Sequence, residues 1–415
     1  SSGKSADGLY TFKMEQPISS YLLALTVGDL EFASTGRNSG VYAEPAMLVK
    51  SVNELQTMQS MIDSAEILYG PYAWGRYDVV ILPPSFPFGG MENPRLTFAT
   101  PTIIAGDQSL VSLIAHELAH SWSGNLATNA TWDDFWLNEG FTVYFERRIA
   151  EELFGKDYAD MLALLGHQDL LNTLEDLPVE DTRLKLNLEG RNPDDGMSDI
   201  AYEKGYFMLR MIEESIGREK FDKFLIEYFQ HFKFKNLTTE EFLVYINKEL
   251  PVVKDLNLNQ WIYQGGLPEN CPDVKSDNFD KIDKILEDKS HLSNISATKN
   301  WTTHEWLHFI RGIDSTWSII DFESADNAFG FTNSGNSEIA AAWFEKSIDA
   351  NYNVVYPKLE EFLIKVGRRK FLTPLYRAML QSGNKSKALD IYSKARPNYH
   401  FVATNTMDEL LGVKK

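Results

Sequence analysis

Two histidines four residues apart, with a glutamate between them, are the strongest chemical signal in the sequence. The segment reads His116-Glu117-Leu118-Ala119-His120 and lies in an apolar pattern typical of a helix with one buried face. Residues four apart lie one turn apart on the same side of a helix, so two imidazoles can bind one tetrahedral zinc ion. Glu117 would then be placed to take a proton from water at the metal. The same spacing also arises by chance among ordinary polar residues.

The His-Glu-x-x-His pattern occurs a second time, at residues 304–308. The motif alone therefore cannot choose the site, and the choice depends on a third ligand. After the first copy, Glu139 follows in an Asn-Glu-Gly segment that opens an apolar, aromatic helix pattern. A second helix packed against the first can carry this carboxylate to the metal. The second copy has no comparable segment downstream, so we expect His304 and His308 on a partly exposed helix face.

Composition limits the kinds of site and partner that are possible. Of 415 residues, 43% are hydrophobic and 13% aromatic, which is ample for buried cores and excludes a disordered chain. The formal net charge of −19 gives little support to a nucleic-acid or anionic-membrane partner and suits an amine-bearing ligand better. With Cys271 as the single cysteine, intrachain disulfides and multi-cysteine zinc sites are impossible. Any metal must be held by histidines and carboxylates.

Apolar runs and turn residues divide the chain into elements. Tyr21–Val27 is an apolar run that predicts a buried strand, and it is far too short for a membrane span. Helical spacing predicts a helix over 52–69, a strand follows at 77–82, and helical patterns dominate from 109 to about 250. The stretch 268–276, with two prolines and several charges, is the best linker candidate. Beyond it we expect helices at 279–289, 338–350, 358–366, 374–381 and 386–395.

Three segments carry a resemblance to a known family. They read Gly-Gly-Met-Glu-Asn-Pro at 89–94, His-Glu-Leu-Ala-His-Ser-Trp-Ser-Gly-Asn at 116–125 and Trp-Leu-Asn-Glu-Gly-Phe at 136–141. Together they resemble the M1 (gluzincin) aminopeptidases, and their exact residues are most similar to those of the leukotriene A4 hydrolase branch. The similarity extends from about Tyr21 to the C-terminus and is most specific over 83–147.

The resemblance implies an α+β fold that is mostly α. Residues 31–270 would form a thermolysin-like zinc catalytic domain, and residues 271–415 an α-helical, superhelical C-terminal domain. Residues 1–30 would be a short β remnant, the last strands of an incomplete β-rich N-terminal domain. The series of consecutive helices predicted after the linker is consistent with a layer of stacked helices.

The resemblance also implies one Zn²⁺ per chain, held by His116, His120 and Glu139, with Glu117 as the general base. Glu92 would bind the free α-amino group of the substrate, which would make the enzyme an exopeptidase. The residues that would line the cleft beside the metal are Gly89, Gly90, Met91 and Glu92. Without the resemblance, Glu92 would be read as a solvated charge after a glycine turn.

A tyrosine is expected to complete the site. Tyr202, in a Tyr-Glu-Lys-Gly segment, resembles the family's hydroxyl donor to the oxyanion. From spacing alone, Glu146 lies on the same helix face as Glu139 and could bind a ligand imidazole. An ion pair of Glu146 with Arg147 or Arg148 is equally compatible with the sequence.

Two further segments resemble the leukotriene A4 hydrolase branch. Arg368 and Lys370 match residues with which the branch binds a substrate carboxylate, which would favour di- and tripeptides, although a basic triplet is also typical of a solvated helix end. Asp194 matches the branch's water-positioning aspartate for epoxide hydrolysis. Met197, however, stands where the branch typically has a tyrosine. Peptidase activity is therefore the expected reaction.

The function that these residues favour is a zinc-dependent aminopeptidase acting on short peptides with a free N-terminus. An endopeptidase of the thermolysin type shares the metal chemistry but has no use for Glu92. An inactive peptide-binding scaffold and a lipid epoxide hydrolase side activity are also compatible with the sequence. We expect a monomer in the cytoplasm, with no nucleic-acid partner and no membrane span.

Overall fold

Eight of the nine described strands lie before residue 130. The computed structural model describes residues 2–4, 8–287 and 298–413, and within these ranges it has one five-stranded sheet and two two-stranded sheets. The strands are β1 Ser2–Lys4, β2 Tyr10–Phe12, β3 Glu31–Ser34, β4 Ser39–Ala43, β5 Tyr77–Ile81, β6 Gly90–Met91, β7 Leu96–Ala99, β8 Ala127–Asn129 and β9 Lys235–Leu237.

Helices make up most of the rest of the described chain. Up to residue 287 they are α1 Pro45–Glu54, α2 Met58–Tyr69, α3 Ser112–Ala119, α4 Trp136–Phe154, α5 Lys156–Asp176, α6 Gly205–Ile216, α7 Arg218–His231, α8 Thr239–Glu249, α9 Leu258–Tyr263 and α10 Asp277–Glu287. The later helices are α11 Thr303–Arg311, α12 Ile319–Phe329, α13 Ser337–Asp349, α14 Tyr356–Lys365, α15 Arg369–Gln381, α16 Lys385–Ala395 and α17 Phe401–Leu411. The mostly helical fold class predicted from the sequence is confirmed.

The five-stranded sheet positions one wall of the site. Its order is β3-β4-β5-β7-β6, with β4, β5 and β7 parallel and β6 antiparallel to β7. The central strand β5 is buried along its whole length, as expected for an apolar run covered on both faces. β6 is the last strand of this sheet, so the backbone of Gly90 and Met91 lies at a sheet edge.

Two hydrophobic cores lie along the chain. The first extends from Val41 to Val274 and encloses the sheet together with helices α2 to α9. The second is built almost entirely from residues 279–411, joined by Met161 and Leu165 of α5. The long helix α5 therefore contributes to both cores and connects them. None of the helices in the described part of the chain is long and apolar enough to cross a membrane.

The predicted buried strand at Tyr21–Val27 is wrong. Residues Ser20–Leu22 form a single 3₁₀ turn, and the apolar residues after it are exposed: Leu23 at 83%, Leu25 at 73% and Val27 at 88%. Strand formation needs a partner strand, and no described strand pairs with this run. Only Leu22 is buried, with its carbonyl accepting a hydrogen bond from Asn93 at 2.8 Å.

Several helix boundaries also differ from the sequence prediction. The helix predicted over 52–69 is two helices, α1 and α2, separated by residues 55–57. The helix predicted to begin at Pro374 begins five residues earlier, with the proline inside α15. Pro374 is the sixth residue of this helix and has no N–H to donate to the Lys370 carbonyl oxygen four residues earlier. Because proline usually marks the first helical position, the sequence pattern placed the start too late.

Candidate active site

The three predicted metal ligands converge from two packed helices. His116 lies in the last turn of α3 and His120 caps that helix, while Glu139 lies in the first turn of α4. The two Nε2 atoms are 3.2 Å apart, and Glu139 Oε2 lies 3.4 Å from His116 Nε2 and 3.5 Å from His120 Nε2. Adjacent ligand atoms of a tetrahedral zinc site are about 3.4 Å apart, given bonds of about 2.1 Å.

Hydrogen bonds on the outer side of each imidazole indicate that a cation belongs at this position. His116 Nδ1 lies 3.1 Å from Glu146 Oε2, and His120 Nδ1 lies 3.2 Å from the carbonyl oxygen of Ser123. A proton on each Nδ1 satisfies these acceptors and leaves both Nε2 lone pairs facing each other. The buried Glu139 Oε2 has no hydrogen-bond partner in the described chain. A cation bound between these atoms would make the arrangement favourable, so the three residues fit zinc.

The partner of Glu146 was left open by the sequence. The structure places its carboxylate on the His116 imidazole. The neighbouring arginines are paired elsewhere: Arg147 with Glu203 at 2.7 Å and Arg148 with Asp222 at 2.7 Å. Glu146 is thus placed to fix the orientation of a candidate ligand.

Glu117 lies against the edge strand β6. A side chain at Gly90 would collide with the Glu117 carboxylate, so only glycine lets the strand approach the helix this closely. Glu117 is 6% exposed, and burial raises the pKa of its carboxyl group to about 8. A carboxylate with a raised pKa can hold and release a proton near neutral pH.

Glu92 is buried beside the same centre, not solvated. It is 9% exposed, and its carboxylate lies within 4.8 Å of one oxygen of Glu117 and one nitrogen of His120. The Tyr21 hydroxyl donates to Glu92 Oε1 at 3.2 Å, and Asn125 Nδ2 donates to the Glu92 carbonyl oxygen at 2.8 Å. Tyr21 was missed from the sequence because it opens an apolar run with no polar pattern around it.

Tyr202 lies beside the candidate ligands His116 and Glu139. Its ring stacks on the His116 imidazole with centroids 6.1 Å apart, in a short π-helix at Ile200–Lys204. Burial, followed by the charge of Glu139, raises the pKa of the Tyr202 phenol well above its ordinary value. The phenol therefore keeps its proton and can donate a hydrogen bond.

The other residues of the Tyr-Glu-Lys-Gly segment hold Tyr202 in place. Lys204 Nζ is buried and donates to the carbonyl oxygens of Thr182 at 2.7 Å and Gln264 at 2.9 Å. A Cβ atom on Gly140 would lie 2.8 Å from the Gly205 Cα atom, so two glycines let the backbones meet. This contact brings the helix that carries Glu139 against the segment that carries Tyr202.

Arg368 reaches the same wall from the C-terminal helices. A Cβ atom on Gly89 would lie 2.7 Å from Arg368 Nη2, and Arg368 is 7% exposed. Lys370 is half-exposed, and both cations contact Glu338. Asp194, by contrast, is exposed in the 3₁₀ turn Pro193–Gly196, and no hydrogen bond or ion pair joins it to the candidate ligands within the described residues.

The second His-Glu-x-x-His copy has a structural use. The prediction that both of its histidines lie on a partly exposed face is wrong for His304, which is 4% exposed. His308 is partly exposed and pairs with Asp283 at 2.8 Å. Glu305 accepts hydrogen bonds from the Thr302 N–H and hydroxyl in a capping box. Among the described residues, this copy is not part of any group that could hold a metal.

Two protein-family patterns match this chain, one in each half. The pattern of the Peptidase family M1 domain matches residues 53–262, and that of the leukotriene A4 hydrolase C-terminal region matches residues 301–411. The leucine aminopeptidase 2-1 of Meyerozyma guilliermondii is 37% identical over 95% of this chain and 68% of its own length. The chain spans about two thirds of the length of the curated relatives it matches.

Solved structures resemble the fold over the same range. Yeast LTA4 hydrolase in complex with bestatin superposes with a TM-score of 0.91 at 33% identity, covering 98% of this chain and 71% of that chain. A two-domain M1 zinc metallopeptidase bound to L-arginine superposes with a TM-score of 0.53 at 25% identity, covering 66% of this chain and 61% of that chain.

Proposed function

The chain belongs to peptidase family M1, and on this premise we propose that it is a zinc-dependent aminopeptidase that removes the N-terminal residue from short peptides. The observation that carries this proposal is the burial of Glu92 beside His120 and Glu117. A buried carboxylate at the end of a cleft is costly unless a cation pairs with it. The ammonium group of a peptide N-terminus is such a cation, and an endopeptidase would not need this residue.

His116, His120 and Glu139 are the residues that would hold the zinc ion. When bound, zinc supplies Lewis acidity, which polarises the scissile carbonyl group and makes a nearby water more acidic. Glu117 acts as the general base: its Oε atoms accept the proton from the attacking water and return it to the leaving amine. The buried environment that raises the pKa of Glu117 suits both halves of this transfer.

The residues on either side of the cleft fix the peptide. Gly90 and Met91 present a strand edge, so an extended peptide can pair with their backbone as an added strand. Glu92 pairs with the substrate ammonium and sets the register, so that the first peptide bond lies beside Glu117. Tyr202 donates its phenolic proton as a hydrogen bond to the carbonyl oxygen when negative charge develops there.

Arg368 and Lys370 are proposed to bind the free carboxylate at the other end of a short peptide. Arg368 lies against Gly89, one residue from the glycine that packs on Glu117. A peptide held at both ends is immobilised across the scissile bond, which lowers the entropy cost of reaction. This arrangement favours di- and tripeptides over long chains.

Hydrolysis of Ala- and Arg-p-nitroanilide, with and without a chelator, tests the proposal on this chain. We expect cleavage that the chelator abolishes and that added zinc restores. A peptide with a free N-terminus should be cleaved, and its N-acetylated form should not, because acetylation removes the charge that Glu92 pairs with. Cleavage of both forms would favour a thermolysin-like endopeptidase, and binding without cleavage would favour a peptide-binding scaffold.

A lipid epoxide hydrolase side activity is a second candidate because of the match between residues 301–411 and the leukotriene A4 hydrolase C-terminal region. Asp194 and Met197 would be the residues nearest to that chemistry. Both are exposed, and methionine cannot replace the tyrosine hydroxyl of the branch. The test is hydration of a lipid epoxide by the holoenzyme. Hydration by the wild type that is lost in Asp194→Asn, while peptidase activity is retained, would support this side activity.

A further inference from the structure

Glu338 occupies the space between the two cations that are proposed to bind the substrate carboxylate. It lies in the first turn of α13, with Oε1 3.3 Å from Arg368 Nη1 and Oε2 2.8 Å from Lys370 Nζ. The side chain of Glu338 is 12% exposed and that of Arg368 9%. Burial opposes ionisation of Glu338, but Lys370 and Arg368 lower the pKa of its carboxyl group below the ordinary value. Glu338 is therefore an anion already bound at this position.

The cluster is fixed to the catalytic wall of the cleft. The Gly367 N–H donates to the Pro84 carbonyl oxygen at 2.8 Å, and the Arg369 N–H donates to the Pro87 carbonyl oxygen at 3.0 Å. These two bonds clamp Arg368 between them, with its guanidinium against Gly89. Arg368 is thus held against the backbone stretch 84–90, which ends at the glycine packed on Glu117.

The cluster retains the capacity to bind one more anion. Two cations and one carboxylate leave one net positive charge. Arg368 Nε is buried without a hydrogen-bond partner in the described chain. Glu338 and Lys370 also line a cavity of about 390 Å³ between α5 and helices α11, α13 and α15, so both side chains border open space.

We propose that Glu338 is a specificity-determining residue that competes with the C-terminal carboxylate of a short peptide for Arg368 and Lys370. It thereby sets how strongly the enzyme prefers a free C-terminus over an amidated one. The proposal rests on the aminopeptidase function proposed above. Like charges that share a pair of cations repel each other, so removing the Glu338 charge strengthens the attraction for the substrate carboxylate.

The test compares Glu338→Gln with the wild-type holoenzyme on Ala-Ala-Ala and its C-terminal amide. The measured quantity is the ratio of kcat/KM for the acid to kcat/KM for the amide. In Glu338→Gln this ratio should rise roughly tenfold, mainly through a lower KM for the acid. Glu323→Gln removes a carboxylate on the exposed face of α12, outside the cluster and the cavity, and should leave the ratio at the wild-type value.

Other outcomes overturn the proposal. A lower ratio in Glu338→Gln would mean that Glu338 supports carboxylate binding instead of competing with it, and an unchanged ratio would mean that the carboxylate does not reach the cluster. If Glu338→Gln does not fold, Lys370→Gln replaces it: the cluster becomes neutral, and the ratio should fall. A wild-type enzyme that cleaves neither peptide would instead refute the aminopeptidase function itself.

Discussion

The two His-Glu-x-x-His helices differ in where the motif lies along the helix. In α3 the motif ends the helix, where both imidazoles meet Glu139 from α4. In α11 it begins the helix, and its glutamate is used to cap the first turn. The same residue types are therefore placed to hold a metal in one copy and stabilise a helix end in the other. The difference teaches that the position of the third ligand, and not the motif, decides the chemistry.

The largest effect that separates the two copies should come from their glutamates. Glu117→Gln removes the proposed general base and should lower kcat by about 100-fold to 10,000-fold while zinc stays bound. Glu305→Gln keeps a side chain that still completes a capping box, so its kcat should equal that of the wild type. Steady-state kinetics on Ala-p-nitroanilide, with zinc content measured in parallel, make the comparison. An equal loss of kcat in Glu117→Gln and Glu305→Gln would contradict the different roles assigned to the two motif copies.

The first copy also has a buried acidic neighbour, Glu92, near its metal ligands. Glu92→Gln loses the charged contact with the substrate ammonium and should lower kcat/KM for free peptides by about 10-fold to 100-fold. Zinc content should be unchanged, because Glu92 is not among the three candidate ligands. If kcat/KM in this variant equals the wild-type value, Glu92 does not bind the substrate ammonium, and the argument for an exopeptidase fails.

A smaller effect is expected from the hydroxyl group that orients this neighbour. Tyr21→Phe removes the hydrogen bond to Glu92 Oε1 and should raise KM for free peptides about threefold to tenfold, with a smaller change in kcat. Tyr42→Phe is a matched control from strand β4 and should leave KM unchanged. An equal fall in kcat and kcat/KM, with KM constant, would show that Tyr21 does not act through substrate binding.

The second copy predicts a pH effect on stability instead of on catalysis. Burial lowers the pKa of His304 to about 4, although Glu338 and Glu146 nearby oppose this shift. An unfolded histidine binds a proton near pH 6.5, so the unfolded state takes up protons first as the pH falls. The free energy of unfolding should therefore decrease between pH 6.5 and 4, by up to about 3 kcal/mol.

Denaturant unfolding across this pH range checks the effect. His304→Gln should flatten the curve, whatever its stability at neutral pH. His308→Gln removes the partly exposed histidine of the same motif and should not flatten it. An unchanged slope in His304→Gln would assign the acid sensitivity to other groups.

The sequence predicted what depends on local spacing and on residue chemistry. The mostly helical fold, the zinc cofactor and the family were all predicted correctly, because the ligand residues lie in motifs with fixed spacing. The roles of the individual site residues and the domain boundaries at 30 and 270 stay predictions. The strand predicted at Tyr21–Val27 failed because pairing depends on a distant partner strand, which an apolar run by itself cannot reveal.

Contacts between distant segments account for what the sequence missed. Tyr21 lies 71 residues from Glu92, and Glu338 lies 30 residues from Arg368. Neither residue stands in a motif, and each gains a role only because folding places it beside a charged group. Likewise, the burial of His304 depends on the packing of α11 against α5, including a ring contact with Tyr158.

Zinc content of purified variants tests the central claim most directly. The wild-type chain and Glu305→Ala should each carry one zinc per chain, whereas Glu139→Ala should carry none, because Glu139 is the third ligand beside His116 and His120. A chain that keeps its zinc in Glu139→Ala, or loses it in Glu305→Ala, would contradict the assignment of the metal to the first copy.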